Sequence, residues 1–130
     1  MDEKAIVQVK DVCKIYESAG VKTNVLNHVD LVINKGEFVG IVGDSGSGKT
    51  TLLNLIGGMD FVSSGRIIVA GNNITNFNDK QRTMYRRKHV GFIFQDYNLI
   101  NELSVYENII MPLQLKGTEI NGKLINDLLT

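Results

Sequence analysis

Phe38-Val39-Gly40-Ile41-Val42-Gly43-Asp44-Ser45-Gly46-Ser47-Gly48-Lys49-Thr50-Thr51-Leu52-Leu53-Asn54-Leu55-Ile56 sets an apolar run, a glycine-rich loop and a helical pattern in succession. The first five residues are apolar throughout, the texture of a strand buried on both faces of a parallel sheet. Leu52, Leu53, Leu55 and Ile56 recur at helical spacing, and Gly57-Gly58 follows where a C-cap falls. Between them, Gly43 to Thr50 fits G-x-x-x-x-G-K-[ST], and a strand before with a helix after is the context that gives the motif physical meaning. At average glycine usage of roughly 7% the full pattern is a rare accident in a chain of this length. The glycines among Gly43, Asp44, Ser45, Gly46, Ser47 and Gly48 let the backbone wrap a phosphate and turn N–H groups inward at the positive end of a helix. Lys49 adds a point charge for β- and γ-oxygens, the Thr50 hydroxyl is placed to ligate Mg²⁺, and Thr51 reaches the α-phosphate side. Asp44 is discordant beside a polyphosphate, but at about 8 Å in water each unit-charge repulsion is only roughly 0.5 kcal/mol.

Upstream, Ile6, Val7, Val9, Val12 and Ile15 interleave with Gln8, Lys10 and Lys14, which predicts one or two edge-type strands with a wet face. Val25, Val29, Leu31 and Ile33 continue an antiparallel layer that ends in the turn Asn34-Lys35-Gly36-Glu37. Downstream, Ser63-Ser64-Gly65 and Gly71-Asn72-Asn73 bracket a short strand from Arg66 to Ala70. Asn78 with Gln81 predicts an N-capped polar helix toward His89, and Val90-Gly91-Phe92-Ile93-Phe94 reads as a second buried strand. Ser104 and Glu107 form a capping box for a helix that Pro112 interrupts or ends, and Ile120 to Leu129 starts another. The fold class these elements predict is α/β, with a parallel sheet, flanking helices and an N-terminal antiparallel β-subdomain. The helical pattern runs to Thr130 without a capping glycine, which suggests a piece of a longer protein.

A length of 130 residues with 43% hydrophobic content predicts one core. Fourteen basic residues balance fourteen acidic ones, so the broad positive field that steers proteins onto nucleic acid is missing. The single cysteine, Cys13, forms no internal disulfide, and a reducing cytosol is its natural setting. The start, Met1-Asp2-Glu3-Lys4, argues against a secretory signal, and no run approaches the roughly 18 apolar residues of a membrane span. Arg82, Arg86, Arg87 and Lys88 read as a solvated basic helix face, and His28 and His89 as structural.

The loop, read as Gly-x-Ser-Gly-Ser-Gly-Lys-Thr-Thr-Leu-Leu from Gly43, is one of an ordered series of motifs. Ser64-Gly65-Arg66-Ile67, Arg86-Arg87, Gly91-Phe92-Ile93-Phe94-Gln95, Leu103-Ser104-Val105 and Glu107-Asn108-Ile109 follow it. In this series the chain resembles the ATP-binding subunits of ABC transporters along nearly its whole length. Phe92 to Gln95 and Glu107 to Pro112 look most like the branch serving lipoprotein release, macrolide export and peptide resistance. The resemblance makes residues 1–130 the N-terminal portion of one ATP-binding domain, a P-loop NTPase core with ATP and Mg²⁺ as cofactors. It implies that Tyr16 stacks on adenine, against the alternative of a tyrosine packed at a strand end. It implies that Gln95 contacts Mg²⁺ and the attacking water, a place that the carboxyl end of a parallel strand makes physically reasonable; a solvated loop glutamine is the alternative. From Asp96 to Glu107 it implies a docking segment for a transmembrane permease, with Tyr97, Leu99 and Ile100 suited to contact. A second ATP-binding subunit in a head-to-tail dimer and a place on the inner face of the cell membrane are further implications.

Hydrolysis in that family also uses an apolar strand ending in Asp, a following Glu base, a Leu-Ser-Gly-Gly-Gln-like signature and a switch histidine, and these 130 residues contain none of them. They are therefore expected to bind nucleotide and to turn it over negligibly, with Lys49 and Gln95 as their catalytic contribution. A GTPase would need Asn-Lys-x-Asp after the loop, and the one Asn-Lys pair, Asn34-Lys35, precedes it. A small-molecule kinase would lack the Glu107-Asn108 pattern and would need an acceptor pocket, and a nucleotide-gated ABC module without a transport role is the third alternative.

Overall fold

The computed structural model describes residues 4–130; the acidic start at Asp2 and Glu3 lies outside them. The chain forms two compact units, one reaching His89 and the other Val90–Thr130. The first carries strands β1 (Ala5–Ser18), β2 (Val21–Asn34), β3 (Ser64–Val69) and β4 (Asn72–Asn73), with helices α1 (Lys49–Ile56) and α2 (Asp79–His89). All pairings are antiparallel in the order β2-β1-β3-β4, so β1 is an interior strand and not the expected edge, and Gln8 and Lys14 of its expected wet face are buried. The β1–β2 hairpin turns through Ala19 and Gly20, with φ of 51° and 77°. Positive φ at both central residues is the turn whose twist matches that of the strands.

β1 is irregular where its register shifts between Val9 and Val12. Asp11 and His28 both lie at φ 50°, the Asp11 N–H donates to Asp30 Oδ1 at 2.9 Å, and His28 Nδ1 meets Asp11 Oδ1 at 2.6 Å. A paired bulge thus increases the local bend while its polar groups stay bonded. Cys13 is buried, and its sulfur accepts from the His28 N–H.

Val9, Val12, Leu26, Ile67 and Val69 of the sheet, Leu52 and Leu55 of α1, and Ile74 and Tyr85 are buried. Leu55, Ile67, Ile74 and Tyr85 line one small cleft together, which places α1 and α2 on the same core as β3. The ends of α1 and α2 are tied by polar contacts. Gly58, at φ 75°, offers its carbonyl to Arg82 Nε at 3.2 Å and Arg86 Nη1 at 2.8 Å, and the Tyr85 hydroxyl donates to the Ile56 carbonyl. Two guanidinium groups on one carbonyl just beyond the C-cap of α1 complement the negative end of its dipole. Arg82 and Arg86 are thus structural ties, a correction to their reading as a solvated face, and Arg82 also lies 3.7 Å over the Phe61 ring.

Burial pushes the Tyr85 phenol up to about 12. A group whose folded value is raised contributes stability fully present below its ordinary value near 10 and lost as pH rises through the folded value. Tyr85→Phe is expected to cost about 1 kcal/mol at neutral pH, by loss of the bond to Ile56. Between pH 10 and 12 that deficit should shrink, because the wild type alone loses this contribution there; urea midpoints at three pH values check it.

Residues 38–42 and 90–94, expected as strands buried on both faces, join no strand of the described residues. Phe38 and Ile93 are fully exposed, and Val42 is nearly so. A continuous apolar run becomes a buried strand only with a neighbour along each edge, and no strand of the described residues pairs with either segment.

In the second unit, α3 (Val105–Lys116) starts on the expected box, with Ser104 Oγ accepting from Glu107 N–H and Glu107 Oε1 from Ser104 N–H, each at 3.1 Å. Pro112 lies inside α3 and does not end it; Gly117, at φ 77°, does. α4 (Gly122–Leu129) is capped by Asn121. Asn108 shapes the preceding loop, accepting from the Ile100 N–H and donating to the carbonyls of Ile100, Leu103 and Ser104.

Candidate functional site

The loop ahead of α1 takes its shape from its glycines. The Ser47 N–H donates to the Asp44 carbonyl at 3.1 Å, closing a turn in which Gly46 holds φ 80°. Such a turn requires φ > 0 at its third position, where glycine carries no penalty. Gly48 stands at φ 94° as the N-cap of α1, with no side chain capping the helix. A Cβ there would meet Leu26 Cδ2 at 2.8 Å and the Val25 carbonyl at 3.0 Å, so the loop rests against β2 at a distance only glycine permits. The first-turn N–H groups of α1 are consequently left for an anion.

Lys49 folds back over this loop. Its ammonium donates to the carbonyls of Gly43 and Asp44, the latter at 2.6 Å, and lies 3.3 Å from Ser47 Oγ. The one strong cation of the loop is therefore already held above the turn. Thr50 and Thr51 occupy the first turn of α1, and Ser45 and the discordant Asp44 are exposed to solvent. Among the described residues no group of three His, Cys, Asp or Glu could hold a metal. A single Thr50 hydroxyl fits Mg²⁺ all the same, because this ion keeps few protein ligands and binds largely through water and phosphate oxygens.

Tyr16 lies on β1 with 40% of its surface exposed. Its hydroxyl donates to Asp60 Oδ2 at 2.6 Å, and Lys14 Nζ stands 4.9 Å from its ring centroid. The Asp60 bond, then partial burial, raise the phenol above its ordinary value, while a hydrogen bond with the Thr51 side chain works against them. Asp60 feels opposite influences: burial pushes its carboxyl up, and bonds from Tyr16, the Phe61 N–H and Lys14, with the charge of Lys14, bring it below the usual range. Lys14 is buried and pairs with Asp60 Oδ1 at 3.2 Å. The sequence reading put Lys14 on a wet strand face, where the structure buries it, and gave Asp60 no role. The i, i+2 spacing of Lys14 and Tyr16 puts both on one face of the strand, but no local pattern links them to a residue 46 and 44 positions further on.

Gln95 belongs to the second unit, exposed in a turn closed by the Tyr97 N–H on the Phe94 carbonyl at 3.3 Å. Phe92 and Phe94 stack with centroids 5.2 Å apart. Tyr97, Leu99 and Ile100 are exposed, Tyr97 at φ 61°. No helix of the described residues is long and apolar enough to cross a membrane.

Comparison with known proteins agrees with this arrangement. The ABC transporter family model matches residues 26–129. The chain is 45% identical over 111 residues to the bacitracin export ATP-binding protein BceA of Halalkalibacterium halodurans, covering 85% of this chain and 44% of that protein. Over 112 residues it is 39% identical to the lipoprotein-releasing system ATP-binding protein LolD of Alcanivorax borkumensis, covering 86% and 49%. Among solved structures, the dimeric ATP-binding cassette MJ0796, bound to ADP and Pi in a post-hydrolysis state, matches with a TM-score of 0.84 at 38% identity, covering 91% of this chain and 51% of that one. The chain belongs to the ABC transporter family and has the fold of its ATP-binding cassettes, as the α/β reading of the phosphate loop anticipated. It spans about half the length, or less, of the curated relatives it matches.

Proposed function

We propose that this chain binds ATP·Mg²⁺ as the nucleotide-binding part of an ABC transporter that couples ATP hydrolysis to export or extraction of a substrate through a membrane permease. Both units belong, in this reading, to one ATP-binding domain. The observation that carries it is the loop itself: Gly46 and Gly48 in left-handed conformation open the N-terminus of α1, and Lys49 is poised over the turn. Loop N–H groups from Gly43 to Gly48 and the Lys49 ammonium bind β- and γ-phosphate oxygens. Thr50 ligates the Mg²⁺ that arrives with the nucleotide, Thr51 serves the α-phosphate side, and Tyr16 stacks on the purine. Gln95 completes the metal and water contacts once its loop meets the nucleotide. When held by Thr50 and Gln95, Mg²⁺ would supply neutralisation of the charge that develops on the transferred phosphoryl group.

The partners are a permease docking from Asp96 to Glu107 and a second ATP-binding subunit placed head to tail, which puts the protein on the cytoplasmic face of the membrane. Relatives named for bacitracin export and lipoprotein release make export the better supported direction. Titration calorimetry with ATP tests the binding. Saturable binding that weakens when EDTA removes Mg²⁺ is expected, with negligible turnover by these 130 residues and turnover in a protein that also carries the signature and the Asp-Glu strand. Binding indifferent to Mg²⁺ would count against Thr50 as a metal ligand.

A further inference from the structure

Resting on the reading of Tyr16 as the base-stacking residue, we propose that Asp60 is a positioning residue for the nucleobase: its carboxylate, anchored by Lys14, holds the Tyr16 ring in the orientation on which the purine stacks. Asp60 divides its two oxygens between two tasks. Oδ1 accepts from the Phe61 N–H at 2.7 Å and from Lys14 Nζ at 3.2 Å, which fixes the carboxylate. Oδ2 is left for the Tyr16 hydroxyl at 2.6 Å. Lys14 is itself held, buried and donating to the Phe61 carbonyl. The relay Lys14–Asp60–Tyr16 therefore ends on a ring whose far edge is tied down although much of its surface is exposed.

Three physical consequences follow for a stacking platform. A ring fixed at both ends has lost its rotamer freedom before the ligand arrives, so stacking costs less ordering entropy. A phenol that donates to a carboxylate leaves more electron density on its ring, which favours an offset stack with a purine. The Lys14 ammonium, 4.9 Å from the centroid, occupies one side of the ring and assigns the base to the other.

Binding of Mg·ATP and of Mg·tripolyphosphate, which lacks a base, separates this role from a structural one. Asp60→Asn is expected to weaken ATP binding about fivefold, the size of one charge-assisted hydrogen bond made neutral, and to leave tripolyphosphate binding unchanged. Tyr16→Phe should give a similar loss, and the double variant should be no weaker than either single one. Equal losses for both ligands, or losses that multiply in the double variant, overturn the proposal. Tyr16→Ala distinguishes the underlying reading. If it leaves the ratio of ATP to tripolyphosphate affinity unmoved, Tyr16 does not stack and both fall; if it moves the ratio while Asp60→Asn does not, only the positioning role falls. Thermal midpoints of all four variants by circular dichroism establish that the comparison is made on folded chains.

Discussion

Lys49→Ala should weaken Mg·ATP binding by at least about 100-fold while leaving thermal stability nearly unchanged. The affinity figure follows from the bonds lost. An ammonium that reaches β- and γ-oxygens makes two hydrogen bonds to charged groups, each contributing about 1.5–3 kcal/mol, and every 1.4 kcal/mol is tenfold in Kd. The stability figure follows from where Lys49 lies in the free loop. Its partners there, the carbonyls of Gly43 and Asp44 and Ser47 Oγ, are exposed, so water replaces the ammonium when the side chain is cut back. Lys49→Arg should not restore binding, because a planar fork matches the point-charge geometry of the turn poorly. Titration of the three proteins with ATP decides the matter. Undiminished binding by Lys49→Ala would remove the phosphate-loop assignment and leave a family resemblance without its ligand.

The parts of this site legible in the sequence are those whose partners are near in the chain. The bounds of α1 follow from four apolar residues and a pair of glycines. Asn78 and Gln81 exchange the expected bonds at 2.8 and 2.9 Å, as do Ser104 and Glu107, because a capping box closes within three residues. What resisted reading depends on distant partners. Residues 38–42 carry the composition of a buried strand, but burial on two faces is a property of neighbours, and none lies beside them here. Arg82 and Arg86 lie in a basic cluster that composition assigns to solvent, yet the Gly58 carbonyl draws both inward. Pro112 was a plausible helix stop and is instead an interior residue. The Ala19-Gly20 turn was missed for a local reason: alanine is a poor signal for a residue that must take φ 51°. Asp60 needed the fold itself, since only the antiparallel layer brings it to Tyr16.

Gly65→Ala is expected to be the most damaging small substitution in the first unit, costing about 3 kcal/mol or more. Two penalties combine at this position. Gly65 holds φ 85°, which for an L-residue costs about 1–2 kcal/mol. An added Cβ would also stand 2.3 Å from the Asp11 carbonyl oxygen and 2.7 Å from that of Lys10, backbone atoms with no flexible end to swing aside. Asp11 is poorly placed to yield, because it is the bulged residue at φ 50°, bonded through its N–H to Asp30 and through its side chain to His28. Relief would have to come from β1, and β1 carries Val9 and Val12, two of the most deeply buried side chains, with Lys14 and Tyr16 just beyond. Gly20→Ala supplies the control. It shares the positive φ, at 77°, but has nothing within 4 Å of an added Cβ, so its cost should be the conformational part alone, about 1 kcal/mol. Urea denaturation of both variants, compared at equal m-values, isolates the contact. A Gly65→Ala cost no greater than that of Gly20→Ala would mean that the bulge gives way freely, and that β1 does not hold Tyr16 rigidly against α1.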